Sequence, residues 1–216
     1  MDVRGKKLLI LGGTSLATTT VEKAKEMGVY TIVTDYLEDS PAKKVSDESY
    51  MVSAIDVDAV VELCKKIKVD GVLTTYNDLL LPYAQEICKK LNFPFIANAE
   101  QLEKIGNKRI SKELCIKHNI PVPMKYKIDK NFLGVDGNNI NYPVLTKPVD
   151  SSGQKGISIC NDFQELKQGY SEALRFSKSK EVIVEDYLSG DYVVICMTLQ
   201  NGYLSLSAMA DKPVIP

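Results

Sequence analysis

From Lys6 to about residue 97, short β-branched runs alternate with amphipathic stretches, the pattern of βαβ units on a parallel sheet. The runs Lys7 to Leu11, Tyr30 to Thr34, Ser49 to Val52 and Gly71 to Thr74 read as its strands. After the last of them Leu80, Tyr83, Ala84, Ile87, Cys88 and Leu91 recur at helical spacing, with Pro82 acceptable in the first turn, so a helix is expected there. Val60, Cys64 and Ile67 share one face of another helix, which Asp56 is placed to cap, and the turn Val69-Asp70-Gly71 leads into the next strand. Together these predict a three-layered, Rossmann-like α/β domain.

A further amphipathic stretch, Lys108 to His118, runs into Asn119-Ile120-Pro121-Val122-Pro123, where proline forbids more helix. The domain junction is expected there. Beyond it strands dominate: Lys125 to Ile128, Val144 to Lys147, Ile157 to Cys160, Val182 to Glu185, Tyr192 to Leu199 and Tyr203 to Ala210, around one helix from about Asp162 to Lys178. Strands crowded around a single helix predict an antiparallel α+β domain. The glycine- and asparagine-rich stretch Asn131 to Asn141 reads as an exposed loop. Tyr83, Phe163 and Tyr170 recur at element periods, as packing residues do.

Composition narrows the partners. The 216 residues carry 27 Lys+Arg against 28 Asp+Glu, a formal net charge of -1, so the basic excess that nucleic acid or an anionic membrane demands is missing. Small polar partners are expected, with no nucleic acid and no membrane. The five cysteines, Cys64, Cys88, Cys115, Cys160 and Cys196, are odd in number and widely spaced, which suggests neither a disulfide framework nor a zinc site and fits a reducing cytoplasm. Met1 to Lys7 lead straight into a strand-like run, so no signal peptide is expected.

Four segments are candidates for chemistry. Gly12-Gly13-Thr14-Ser15 follows the first strand and Asp35 closes the second. This has two readings, a dinucleotide site with an acid for the ribose, or a tight strand-to-helix turn, and the adjacent glycines depart from the dinucleotide spacing. Tyr142 to Pro148 places Lys147 at a strand end, just before Asp150-Ser151-Ser152-Gly153-Gln154-Lys155-Gly156-Ile157. A fixed cation beside backbone amides that small residues leave open suits phosphate, while an ordinary hairpin with a solvated lysine explains the same residues. Glu181 to Asp191 is an apolar strand that ends in acids, either a connector facing a base with backbone and carboxylate groups or a solvated strand end. Thr75-Tyr76-Asn77-Asp78 follows a parallel strand, where open α/β sheets bind ligands, unless Asp78 merely caps the next helix. The single histidine, His118, late in its helix, reads as structural.

The order and spacing of these segments resemble the ATP-grasp superfamily, to which carbamoyl phosphate synthetase, biotin carboxylase and glycinamide ribonucleotide synthetase belong. The resemblance covers nearly the whole chain. It implies a Rossmann-like pre-ATP-grasp domain with linker helix over residues 1–119, an ATP-grasp N-terminal (lid) subdomain over 120–190 and an incomplete start of the C-terminal subdomain over 191–216. Lys108, in Gly106-Asn107-Lys108-Arg109, matches the first phosphate-binding lysine and Lys147 the second. Ser151 to Gly156, with Ser151, Ser152, Gly153 and Gly156, resembles the loop that closes over the triphosphate, with fewer glycines than biotin carboxylase. Glu185 resembles the adenine-binding acid, Asp186, Tyr187 and Leu188 the hinge offering backbone contacts, and Asp191 the ribose acid. Tyr76, Asn77 and Asp78 stand where relatives contact substrate.

What the resemblance implies is the ATP-binding part of a carboxylate-amine or carboxylate-thiol ligase working through an acyl phosphate. ATP and magnesium are the implied cofactors, small-molecule carboxylates and amines the implied partners, and a homodimer is admitted. No residue is assigned a catalytic role. The family's metal ligands are expected after residue 216, so the chain is expected to be part of a longer ligase and to bind nucleotide only weakly by itself. A nucleotide-binding scaffold without turnover and an NAD-linked oxidoreductase are the rival readings.

Overall fold

Leu9, Ile10 and Leu11 lie buried at the centre of a four-stranded parallel sheet, because both faces of their strand are covered. The computed structural model describes residues 2–75 and 77–212, and the chain divides into two compact units, Met1–Ser111 and Lys112–Pro216. The first unit runs β1 (Lys7–Leu11), α1 (Ser15–Glu26), β2 (Tyr30–Thr34), β3 (Glu48–Tyr50), α2 (Val57–Ile67), β4 (Gly71–Thr74), α3 (Leu81–Leu91) and α4 (Ala99–Gly106). Its sheet order is β3-β2-β1-β4, every pair parallel.

Alternation sorts the strands' side chains between the helices. Leu9, Leu11, Ile32 and Val72 pack with Val60 and Cys64 of α2 and with Ala84, Ile87 and Cys88 of α3. Ile10 and Val33 meet Ala17 and Val21 of α1. The three-layered Rossmann-like domain read from the sequence is therefore present. Asp56 caps α2 as expected, its carboxylate accepting from the Ala59 amide at 3.1 Å. Pro82 sits in the first turn of α3, where its missing N–H costs nothing. The third strand is shifted back from Ser49–Val52 to Glu48–Tyr50, since its register partner β2 ends at Thr34, opposite Tyr50.

Helix α4 is an addition to the sequence reading. Asn98 and Gln101 exchange bonds of 2.9 Å, each side chain accepting from the other's amide, a capping box that closes the helix N-terminus. Only Leu102 of α4 is buried, so the helix leaves almost no apolar period in the sequence.

Helix α5 (Lys108–Lys117) carries the chain across the division between units, whereas the junction expected from the prolines falls after Asn119. The second unit continues with β5 (Lys125–Tyr126), β6 (Val144–Pro148), β7 (Ser158–Cys160), α6 (Phe163–Phe176), β8 (Val182–Asp186), β9 (Tyr192–Gln200) and β10 (Tyr203–Lys212). Four strands form an antiparallel sheet in the order β5-β8-β6-β7. Leu166 and Tyr170 of α6 pack on Val144, Cys160 and Val184, and Asp162 caps the helix by accepting from the Gln164 and Glu165 amides at 2.8 Å. The stretch 131–141 is less exposed than expected. Phe132 meets Phe163 and Tyr170 edge-on at 5.8 and 5.2 Å, and Ile140 is buried.

Strands β9 and β10 pair as a separate antiparallel ribbon. Val193, Ile195, Met197 and Leu199 share one face with Leu204, Leu206 and Met209, all between 51% and 70% exposed. The opposite face holds Cys196, Thr198, Ser205 and Ala208, with the Thr198 and Ser207 hydroxyls 2.8 Å apart. All five cysteines are free thiols. Burial pushes the Cys64 and Cys88 thiols up to about 11, so both stay protonated at neutral pH. Among the described residues no helix is long and apolar enough to cross a membrane.

Candidate functional site

At the carboxyl edge of the first unit's sheet, the Gly12-Gly13 turn is shaped by its own neighbours. Gly12 has φ +86°, a region that favours glycine, and a Cβ on Gly13 would collide with the buried Ser40 side chain. The Asp35 carboxylate, 8% exposed, accepts from the Gly13 amide at 2.6 Å with one oxygen and from the Leu37 amide at 2.8 Å with the other. Both oxygens thus hold the turn together. After β4, Tyr76 lies outside the described residues. Asn77 rather than Asp78 caps the following helical turn, its Oδ1 accepting from the Leu79 amide at 3.2 Å, and Asp78 is exposed in that first turn.

In the second unit the alternation of β6 and β8 puts two chemistries on opposite faces. Val144 and Val184 face α6 and the core. Leu145, Lys147, Ile183 and Glu185 share the other face, with Leu145 opposite Glu185 and Lys147 opposite Ile183, which makes Lys147 a diagonal neighbour of Glu185. Lys147 Nζ donates to Glu185 Oε1 at 2.6 Å. Lys112 of α5 donates to the other oxygen, Oε2. Glu185 is 3% exposed, and the two lysine side chains are each 17% exposed. Burying a carboxylate this deep is costly unless it is paired and hydrogen-bonded, and here each oxygen has its own ammonium partner.

Lys108 opens α5 on the first unit's side of the division, and Lys147 stands in the second unit. The cluster that the second unit assembles is Lys147, Glu185 and Lys112. Lys112 is the member that sequence reasoning misses, although it lies one helical turn after Lys108, on the same face, where (i, i+4) positions meet.

Around the cluster the other predicted residues divide by what already engages them. The Asp186 amide donates to Met124 O at 3.0 Å and the Tyr187 amide to Pro143 O at 3.1 Å, so the chain flanking β5 and β6, on either side of β8, uses both. Leu188 is 56% exposed, and its carbonyl accepts from the Tyr192 hydroxyl at 2.6 Å. The Asp186 carboxylate accepts from the Tyr126 hydroxyl at 2.8 Å, and Asp191 is exposed. His118 follows the last residue of α5 and is exposed, with its amide donating to Leu114 O at 3.1 Å.

The loop after β6 turns through positive φ at Gly153 (+67°) and Gly156 (+72°). No heavy atom lies near a Cβ position on Gly153, whereas one on Gly156 would press on Phe176 and Pro148 at 3.0 Å. Ser152 is exposed, and the Ser151 hydroxyl donates to Lys155 O at 3.0 Å. At the loop's base Asp150 accepts from Ser177 Oγ at 2.9 Å and from the Lys178 and Ser179 amides at 3.1 and 2.7 Å. Burial raises the Asp150 pKa, but these amides and hydroxyls outweigh it and leave the carboxyl below its ordinary 3.8. A depressed carboxylate stabilises the fold above its unfolded pKa and loses that contribution as pH falls through its folded pKa. Asp150→Asn is therefore expected to cost about 1 kcal/mol at pH 7, with the gap to wild type closing below about pH 4. Urea denaturation at pH 7 and pH 3 checks it, and an undiminished gap at pH 3 contradicts it.

A Rossmann-like unit followed by an antiparallel α+β unit is the arrangement of the ATP-grasp fold, and here the second unit closes two lysines on a buried glutamate. The family of PylC-like N-terminal domains matches residues 8–96, and that of the ATP-binding domain of the carbamoyl-phosphate synthase L chain matches residues 108–195. Together these matches and the solved structures below give the chain the fold of the ATP-grasp superfamily. Among curated relatives, the formate-dependent phosphoribosylglycinamide formyltransferase of Sulfurisphaera tokodaii is 30% identical over 98% of this chain and 53% of its own length. The N5-carboxyaminoimidazole ribonucleotide synthetase of Thermotoga maritima superposes with TM-score 0.72 at 22% identity, over 95% of this chain and 53% of that one. The biotin carboxylase domain of 2-oxoglutarate carboxylase from Hydrogenobacter thermophilus, solved with MgADP and bicarbonate, gives 0.75 at 22% identity, over 95% and 50%. The chain spans about half the length of the curated relatives it matches.

Proposed function

We propose that this chain is the ATP-binding part of an ATP-dependent carboxylate-amine or carboxylate-thiol ligase that works through an acyl phosphate. The observation that carries the reading is the pair of lysines on the buried Glu185 near the end of β8, one of them, Lys147, on the strand that leads into the loop 151–156. Two ammonium groups against one carboxylate leave this cluster at net +1, the sign that a triphosphate seeks. An ionised carboxylate offers about four lone-pair sites and two are taken here, so Glu185 retains capacity to accept from the exocyclic amine of adenine. Leu188, 56% exposed, is the proposed hinge donor to a ring nitrogen, while Asp186 and Tyr187 shape the hinge. Asp191 faces the ribose hydroxyls, and Ser151, Ser152, Gly153 and Gly156 approach the phosphates through their backbone.

In the proposed reaction an oxygen of the substrate carboxylate bonds to the terminal phosphorus of ATP, the bridging P–O bond breaks and ADP leaves. The amine or thiol then bonds to the acyl carbon, gives up a proton, and releases phosphate as the C–O bond breaks. Lys147 and Lys108 offset charge on the phosphates, and the loop 151–156 excludes water from the acyl phosphate. Tyr76, Asn77 and Asp78 form the proposed substrate contact at the end of β4. Magnesium enters as the ion carried by the triphosphate. Among the described residues no group of three or more His, Cys, Asp or Glu is placed to hold it.

The Gly12-Gly13 turn favours this reading over a dinucleotide site, since its adjacent glycines depart from the dinucleotide spacing and Asp35 already ties the turn through the Gly13 and Leu37 amides. Titrating the chain with MgATP and separately with NADH while following thermal unfolding tests the choice. A ligand at 100 times its Kd stabilises by about 2.7 kcal/mol, on the order of 5–10 °C for a chain of this size, and that shift is expected from MgATP. A larger shift from NADH rejects the proposal. Expected of the full-length ligase is ADP release only when carboxylate and acceptor are both present.

A further inference from the structure

We propose that Lys112 is a positioning residue of the nucleotide site, keeping the Glu185 carboxylate neutralised while Lys147 transfers from Glu185 to the triphosphate. The inference rests on the nucleotide reading above. Its physical basis is the division of labour on Glu185, where Lys147 takes Oε1 at 2.6 Å and Lys112 takes Oε2. Each cation can leave without disturbing the other's bond. Lys147 stands on β6, directly ahead of the loop that would cover the phosphates, and is the mobile partner by position. Its departure breaks one of the two bonds that hold a carboxylate only 3% exposed.

With Lys112 in place, that carboxylate keeps a counter-ion throughout. Without Lys112, moving Lys147 to phosphate strands an unpaired charge in the interior, a state penalised severely enough to cancel what the phosphate contact gains. Lys112 comes from α5, a different element from the strand carrying Lys147, so a shift of Lys147 toward phosphate need not drag it along. Adenosine, which has no phosphate to recruit Lys147, makes no such demand.

The experiment compares dissociation constants of MgATP and adenosine for the 216-residue chain and its variants. Lys112→Met is expected to weaken MgATP about tenfold or more, the worth of one charge-assisted hydrogen bond, and adenosine by less than about twofold. Lys112→Arg retains the wild-type preference for ATP. Adding Glu185→Gln to Lys112→Met restores that preference, because a neutral amide no longer detains Lys147. Lys112→Gln provides the same contrast if the methionine variant folds poorly. Equal weakening of both compounds, or no change in either, overturns the inference, and so does a double variant that fails to recover. A wild-type chain that binds neither compound, or a Lys147→Ala variant that keeps the full preference for ATP, removes the nucleotide reading itself, and with it this inference.

Discussion

Lys147→Ala removes most of the thermal stabilisation that MgATP gives the wild-type chain, while the melting temperature without nucleotide barely moves. The two halves of this result have separate causes. In the absence of nucleotide Glu185 keeps Lys112 as its partner, so no buried charge is orphaned by the substitution. In its presence the lost ammonium is a charge-assisted contact to phosphate, worth about 1.5–3 kcal/mol, or roughly 10- to 100-fold in affinity. Differential scanning fluorimetry across an ATP series separates the two. An ATP shift that survives Lys147→Ala would put the phosphate site somewhere else.

The largest stability effect is expected at the other end of the same pair. Glu185→Gln leaves two mostly buried ammonium groups facing each other without their carboxylate. Removing one partner from a buried ion pair costs about 3–5 kcal/mol, and the low end applies because both lysines reach solvent at 17% exposure and can turn outward. A loss of about 3 kcal/mol is therefore expected in urea denaturation. Combining it with Lys112→Met should be milder than Glu185→Gln alone, since one of the stranded charges goes too. A loss below about 1 kcal/mol would mean that the cluster contributes no more than a surface ion pair.

Much of the fold was legible because it is local. The strands Lys7–Leu11, Tyr30–Thr34 and Gly71–Thr74 appear at the bounds their β-branched runs predict, and the Asp56 and Asp162 caps act on amides only two or three residues away. Helix α4 escaped because a single buried leucine gives no period to read. The stretch 131–141 has the composition of an exposed loop, yet Phe132 finds a site against α6 that only the folded unit creates.

The site shows the same boundary. Lys147 and Glu185 were legible as a strand-end lysine and a strand-end acid, because alternation tells which face each occupies once both are strands. Lys112 was not, since its partner lies 73 residues away and its place one turn after Lys108 is equally that of a solvated helix lysine. Likewise nothing in the sequence showed that Asp35 reaches 22 residues back to the Gly13 amide. By itself, then, the sequence determined most of the helices and strands and the α/β class of the fold. Tertiary structure alone decided which charges face one another, because apolar periodicity constrains a side chain's face whereas the partner of a polar group depends on elements brought together from distant parts of the chain.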